Sequence, residues 1–278
     1  SRSDRPTRTP LTLLAAGRRL HGERVMAAGA HPDAPTLVFL HEGLGCIGFW
    51  KDVPEALCGR LGLPGLVWDR WGHGASEPFD RPRTPRYLHE EAMRFLPEVL
   101  AGAGIARPVL IGHSDGASIA LLYAAAVPDR PLAVVSEAAH VLVEERTLAG
   151  IRAAVTAWET GRLRTALERF HGEQADAVFQ AWAGLWLSPA FRDWTIEAEI
   201  AAVRAPLLLI QGEDDAYGTA DQVARIAAAV QGPVVTAMLP ACGHVPHHEA
   251  RERTLDLIVG FLDPVLRRAG VHRPPSTA

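Results

Sequence analysis

The pentapeptide Gly112-His113-Ser114-Asp115-Gly116 holds the residue best suited to covalent chemistry in this chain. The apolar run Val109–Gly112 leads into it and helical sequence, Asp115–Ala126, follows. A serine on a sharp strand-to-helix turn presents its hydroxyl to a substrate. Its neighbours must be glycine, because side chains there would clash. The helix N-terminus behind Ser114 also favours developing negative charge. Serine is a weak nucleophile until a base takes its proton. Three histidines, His244, His247 and His248, fall within five residues after the strand-like run Val234–Leu239. His244 is the expected base, since Gly243 frees its loop, whereas His247 and His248 are expected as exposed residues at a helix start. A carboxylate must then hold the base in the right tautomer. Asp215, closing the run Leu207–Gln211, is preferred; its neighbour Asp214 and Glu137, after Leu132–Ser136, remain alternatives.

An acyl-transfer site also needs donors for an oxyanion. One is expected to be the Asp115 backbone N–H, directly after the nucleophile, and the other that of Gly43, in His41-Glu42-Gly43-Leu44-Gly45. Glu42 stands beside that donor, where an unscreened carboxylate would oppose the oxyanion. The first expectation is that it turns away to a cationic or hydrogen-bonding partner, because buried charges are usually paired. The other is that it works on substrate or water. No H-E-x-x-H spacing suggests zinc, and no metal or organic cofactor is implied.

The elements that must position these groups are short strands alternating with helices. Residues 11–30 read as two strands with a turn near His21-Gly22. Strands are expected over Thr36–His41, Gly65–Trp71, Val109–Gly112, Leu132–Ser136, Leu207–Gln211 and Val234–Leu239. Helices are expected over Phe49–Leu61, Arg86–Leu100, Asp115–Ala126, Ala220–Val230 and Glu249–Arg268. This order predicts an α/β fold with a mostly parallel sheet buried on both faces. The alternation breaks over residues 141–204, which keep helical periodicity: Leu163, Leu167 and Phe170 share one face, and Phe179, Trp182 and Trp186 another. The stretch holds four of the seven tryptophans, as expected of a helical lid over a pocket or of aromatics that simply pack the insertion down. Phe179, Trp182 and Trp186, with His113 and Glu42, are candidate substrate contacts. The expected division is a core of residues 1–140 and 205–278 and a cap of residues 141–204.

At 278 residues, 48% hydrophobic and 22% charged, the chain can build a sizeable core. Its 28 basic residues against 32 acidic ones leave a net charge of −4, which argues against nucleic acid as a partner. Three cysteines, Cys46, Cys58 and Cys242, make no disulfide framework or C-x-x-C pair, so a reducing, cytoplasmic setting is expected. No apolar run approaches the ~18 residues that span a bilayer. The chain opens on Ser1 without a methionine, which leaves a removed leader open.

Taken in order, His41–Gly45, Asp69-Arg70-Trp71-Gly72-His73-Gly74-Ala75-Ser76, Gly112–Gly116, Gly212–Asp215 and Gly243-His244 resemble the α/β-hydrolase-fold serine hydrolases. The resemblance covers nearly all of residues 11–268, with 141–204 in the place of the family's variable cap. It implies the triad Ser114, Asp215 and His244, since the family's acid usually stands three residues after the strand-end glycine. It also implies that Asp69–Ser76 is a structural turn shaping the site wall. Glu42 departs from the glycine that often follows the first histidine. The implied activity is cleavage of an ester, lactone or related acyl bond of a small apolar substrate. Hydrolysis of C–C bonds in ring-cleavage dienones and acyl transfer are alternatives on the same triad, and a non-catalytic receptor is the reading from another class. A small molecule is the expected partner, with no nucleic acid and no membrane; a homodimer is left open.

Overall fold

The computed structural model describes residues 5–31 and 33–271; the ends of the expected core, 1–4 and 272–278, lie outside the described residues. Two strands open the chain, β1 (Thr7–Ala15) and β2 (Arg18–Met26). Their turn is Ala16-Gly17, not His21-Gly22. Both turn residues have positive φ, the geometry a two-residue hairpin requires, while His21 and Gly22 lie inside β2. The remaining strands are β3 (Thr36–Leu40), β4 (Gly65–Trp68), β5 (Pro108–His113), β6 (Ala133–Glu137), β7 (Leu207–Gly212) and β8 (Val234–Leu239). They form one sheet in the order β1-β2-β4-β3-β5-β6-β7-β8, antiparallel from β1 to β4 and parallel from β4 to β8.

Successive strand residues face opposite sides, so each apolar strand feeds two cores. Val38, Leu40, Leu110 and Val134 pack with α4 (Asp115–Ala126) and with the segment Tyr87–Gly102. Leu37, Phe39, Ile111 and Val135 pack with α1 (Val53–Leu61) and α11 (Arg251–Arg268). Several expected helices are broken, each time near proline. The stretch 47–61 is a 3₁₀ turn (Ile47–Trp50), a kink at Lys51 with φ 50°, and then α1 with Pro54 in its first turn. The stretch 86–100 divides into α2 (Tyr87–Glu90), a π turn (Glu91–Phe95) and α3 (Leu96–Gly102). Pro97 has no N–H for the carbonyl one turn back, and the ladder widens just before it. α4 stops at Ala126 because Pro128 keeps Val127 out of the helical region, at φ −133° and ψ 69°.

Between β6 and β7 the chain forms α5 (Glu145–Glu159), α6 (Arg162–His171), α7 (Ala175–Trp186) and the short α8 (Glu197–Ile200). α9 (Ala220–Ala229) and α10 (Pro246–Glu249) precede α11. The stripe Leu163, Leu167, Phe170 does not stay together: Leu167 is buried, while Phe170 is 44% exposed. Among the described residues no helix is long and apolar enough to cross a membrane, and all three cysteines are buried and free.

The tightest joint in the sheet is at Gly116, where an added Cβ would stand 1.9 Å from the Leu40 carbonyl oxygen. Gly116→Ala is therefore expected to destabilise the chain by about 3 kcal/mol, the upper range for overpacking. Urea unfolding checks this; a loss under ~1 kcal/mol, as at ordinary surface positions, would show that α4 slides freely on β3.

Candidate active site

Every group singled out for chemistry lies at the C-terminal end of a parallel strand, the edge where open α/β sheets place ligands. Ser114 follows β5 with φ 54° and ψ −116°. Its amide donates to the Glu137 carbonyl at 2.8 Å, and its own carbonyl accepts from Ala117 and Ser118 at the start of α4. Both flanking glycines are required. A Cβ at Gly112 would meet the Gly116 carbonyl oxygen at 2.3 Å, and one at Gly116 would strike β3. The backbone is held in a region that side chains rarely adopt, and the hydroxyl stands clear.

His244, on the loop after β8, places Nε2 3.0 Å from Ser114 Oγ and Nδ1 2.9 Å from both carboxylate oxygens of Asp215. Asp215 is buried, and its Oδ1 also accepts from the Tyr217 amide at 2.8 Å. Asp214 is exposed. Glu137, the third acid considered, is fully buried and paired instead with His247, Nδ1 to Oε2 2.7 Å. That corrects the expectation for His247, which is 2% exposed rather than a surface residue. The chain turns at Ala250 between α10 and α11, so the His247 ring points inward and stacks on Trp50. His248 is half-buried, and burial lowers its imidazole to about 4.

The charges favour a triad. Burial alone would raise Asp215, but the His244 hydrogen bond and charge outweigh it and hold the carboxyl below its usual value. Burial alone would lower His244; hydrogen bonding and charge from Asp215, then the charge of Glu42, leave it raised. His113, expected as a substrate contact, lies behind His244 instead. Its Nε2–H donates to the His244 carbonyl at 2.7 Å, and burial keeps it neutral. Glu249 braces the same loop by accepting from the amides of Gly243 and Val245.

The amides of Gly43 and Asp115 make no hydrogen bond to another described residue, and both residues border the cavity in front of Ser114. The Asp69–Ser76 turn braces that wall. Asp69 accepts from Ile47 and Ala75, and the Arg70 amide donates to His41 Nε2. His171 of α6 donates from Nε2 to the Leu44 carbonyl, tying the loop to the inserted helices. The Asp115 carboxylate accepts from Tyr87 Oη at 2.7 Å, and Tyr87 Oη accepts from Trp186 Nε1.

The cavity measures about 50 Å³, room for a few waters. Trp182 presses against Gly43, where an added Cβ would lie 2.6 Å from its ring, and Trp186 borders the cavity nearby. Phe179 does not reach it. It stacks on Trp158, 4.3 Å between centroids, inside the inserted helices. His140 and Tyr217, absent from the expected set, do line the cavity. The Tyr217 ring lies 4.7 Å from that of His244, and its backbone carbonyl accepts from His140 Nε2 and Thr147 Oγ1. The only sequence signals were their places just after the strand-end acids Glu137 and Asp215.

Glu42 is not paired as first expected. Its backbone carbonyl takes the hydrogen bonds, from His41 Nδ1 and Arg70 Nη2, while its carboxylate has no partner among the described residues and borders the cavity. Burial raises its carboxyl, against the pull of His244 and His247. Glu42, His113 and His244 bring ligating atoms within 4.8 Å of one another. An ion there would compete with Ser114 and Asp215 for the His244 nitrogens.

Residues 37–257 match the model of the alpha/beta hydrolase family. The chain is 30% identical over 152 residues to a 2-succinyl-6-hydroxy-2,4-cyclohexadiene-1-carboxylate synthase of Enterobacter sp. (strain 638), an alignment spanning 54% of this chain and 53% of that protein. It is 33% identical over 95 residues to an sn-1-specific diacylglycerol lipase of Mus musculus, spanning 34% of this chain and 29% of the lipase. In fold it is similar to a 2-hydroxy-6-oxo-6-phenylhexa-2,4-dienoate hydrolase from Rhodococcus sp. strain RHA1, with a TM-score of 0.77, 12% identity and coverage of 92% and 99% of the two chains.

Three outcomes follow for the charges. The acid limb of a kcat/KM profile should lie above 6.5, the ordinary imidazole value, because a raised His244 must lose its proton to act as base. Glu42→Gln removes a charge that supports the imidazolium, so the limb should move to lower pH with little change in Tm; an unmoved limb would place that carboxylate out of reach. Asp215→Asn should cost about 10⁴-fold in kcat through the wrong tautomer, while Asp214→Asn should leave kcat nearly intact.

Proposed function

The chain belongs to the alpha/beta hydrolase family, and within it we propose a serine hydrolase that cleaves an ester, lactone or related acyl bond of a small apolar substrate. The observation that carries this is the continuous line from Ser114 Oγ through His244 to Asp215, with contacts of 3.0 and 2.9 Å, beside two unengaged backbone amides. Ser114 Oγ attacks the carbonyl carbon while its proton passes to His244 Nε2. The amides of Gly43 and Asp115 hold the oxyanion, and Asp215 steadies the imidazolium. The leaving oxygen takes the proton back from His244. Water then repeats the sequence on the acyl-enzyme and frees Ser114.

Residues 141–204 act in this reading as a cap. The cavity before Ser114 is too small for an ester of any size while Trp182 rests on Gly43, so substrate entry needs α7 to lift from the β3 end. Cleavage of a C–C bond is the second reading. The unpaired Glu42 carboxyl beside His244 favours it, because such a reaction must deliver a proton to carbon.

A fluorophosphonate probe should label the wild type at Ser114 and fail on Ser114→Ala. On a p-nitrophenyl ester the same substitution should lower kcat by at least ~10⁴, as removing a triad nucleophile does. Retention of a few per cent of activity would move the chemistry elsewhere. Trp182→Ala should raise KM for bulky apolar acyl groups more than for acetyl; equal losses would reduce Trp182 to packing. Faster turnover of a chromogenic dienone than of esters would favour the second reading.

A further inference from the structure

A second cavity of about 290 Å³ shares Glu42 with the first, and Ser114 is not among its walls. An engineered apolar cavity of about 150 Å³ holds a benzene, so this one has room for a substituted aromatic ring. Its walls include Phe49, Trp50 and Phe170. Phe49 and Phe170 contact at 4.6 Å between centroids, and Phe170, 44% exposed, reaches over Gly48 from α6.

Some polar atoms in these walls lack partners. His247 is almost wholly buried, and its Nδ1 is committed to Glu137, a fully buried carboxylate. With Nδ1 bound to that carboxylate, Nε2 is the ring nitrogen left to meet a ligand. Nε2 makes no hydrogen bond among the described residues. Trp50, 1% exposed and stacked on His247 at 4.7 Å, has an unpartnered Nε1–H, and His248 Nε2 is unpartnered too. Buried polar atoms without partners are uncommon in folded chains. A ring nitrogen without a partner in the wall of a largely apolar cavity calls for a ligand that brings one polar group on an apolar body, and a hydroxyl on a ring does so.

We propose that this cavity is a binding site for an aryl alcohol of the phenol class, its ring among Phe49, Trp50 and Phe170 and its O–H donating to Nε2 of His247. The identity of the occupant rests on the ester-cleaving reading, in which such a compound is the leaving group. Glu42 forms part of both cavities, so the alcohol would leave the Ser114 side past that side chain. Glu137 and His247 are then positioning and binding residues rather than part of the triad.

Calorimetric titration of the full chain, as Ser114→Ala, tests this with phenol and with anisole, which has the ring and oxygen but no O–H. Phenol should bind with a Kd of about 1 mM or tighter, a scale open to so small a ligand. It should be preferred over anisole by ~5-fold or more, the cost of leaving a buried acceptor unpaired. His247→Phe, which leaves no acceptor there, should abolish that preference. Should His247→Phe fail to fold, Phe170→Ala, at an exposed position, should still weaken both ligands by ~3-fold, with the preference kept. Equal binding of phenol and anisole would overturn the hydroxyl assignment, and no binding of either would overturn the site. If phenol binds but a fluorophosphonate does not label the wild type, the hydrolase reading sinks and the site stands.

Discussion

The structure depends on one strained residue. Ser114 sits at φ 54° and ψ −116°, a conformation that costs of order 1–3 kcal/mol and persists only where its surroundings over-determine it. Here they do. The Gly112 and Gly116 backbones touch, Gly116 lies against the Leu40 carbonyl, and the Ser114 amide is tied to Glu137 on the next strand. β3, β5, β6 and α4 are thereby locked around a single turn. Both hydrophobic cores, one on each face of the sheet, hold those strands in register behind it.

Histidines surround that turn, and their differences come from their neighbours. His41, His73, His113 and His140 are deeply buried without a carboxylate partner, and burial keeps them neutral. As neutral rings they serve as fixed donors and acceptors for the loops that carry Gly43, His244 and Tyr217. Only where a carboxylate backs the ring does the role change. Asp215 does this for His244, and Glu137 repeats the arrangement for His247 one layer further back. The two pairs lie on either side of His113, whose ring stands 5.1 Å from His244 and 5.0 Å from His247.

The inserted helices do two jobs that their pattern alone did not separate. α7 seals the Ser114 cavity with Trp182 and Trp186 while burying Phe179 against Trp158. α6 pins the Gly43–Leu44 loop through His171 and lends Phe170 to the second cavity. One amphipathic face thus serves packing at one residue and a cavity wall at the next.

What the sequence by itself determined is local. Runs of apolar β-formers alternating with helical stretches specify the parallel sheet. G-x-S-x-G at a strand-to-helix junction specifies the nucleophile's turn, because only glycine fits on either side. Asp215 and His244 could be expected at neighbouring strand ends, Asp215 over Asp214 only through the family resemblance. What only the tertiary structure decided depends on contacts between segments far apart in the chain. His247 could be read as a surface residue because nothing near it in sequence shows that Glu137, 110 positions earlier, meets its ring. Glu42 looked like a charge needing a partner; its carboxylate instead stands between two cavities whose walls come from several different segments. His140 and Tyr217 were marked in the sequence only by following the strand-end acids, since their place at the site comes from how the β6 and β7 loops fold near His244. The hairpin turn likewise moved to Ala16-Gly17 because pairing of β1 with β2 and of β2 with β4 sets the register, and a glycine in mid-strand can mimic a turn when read alone.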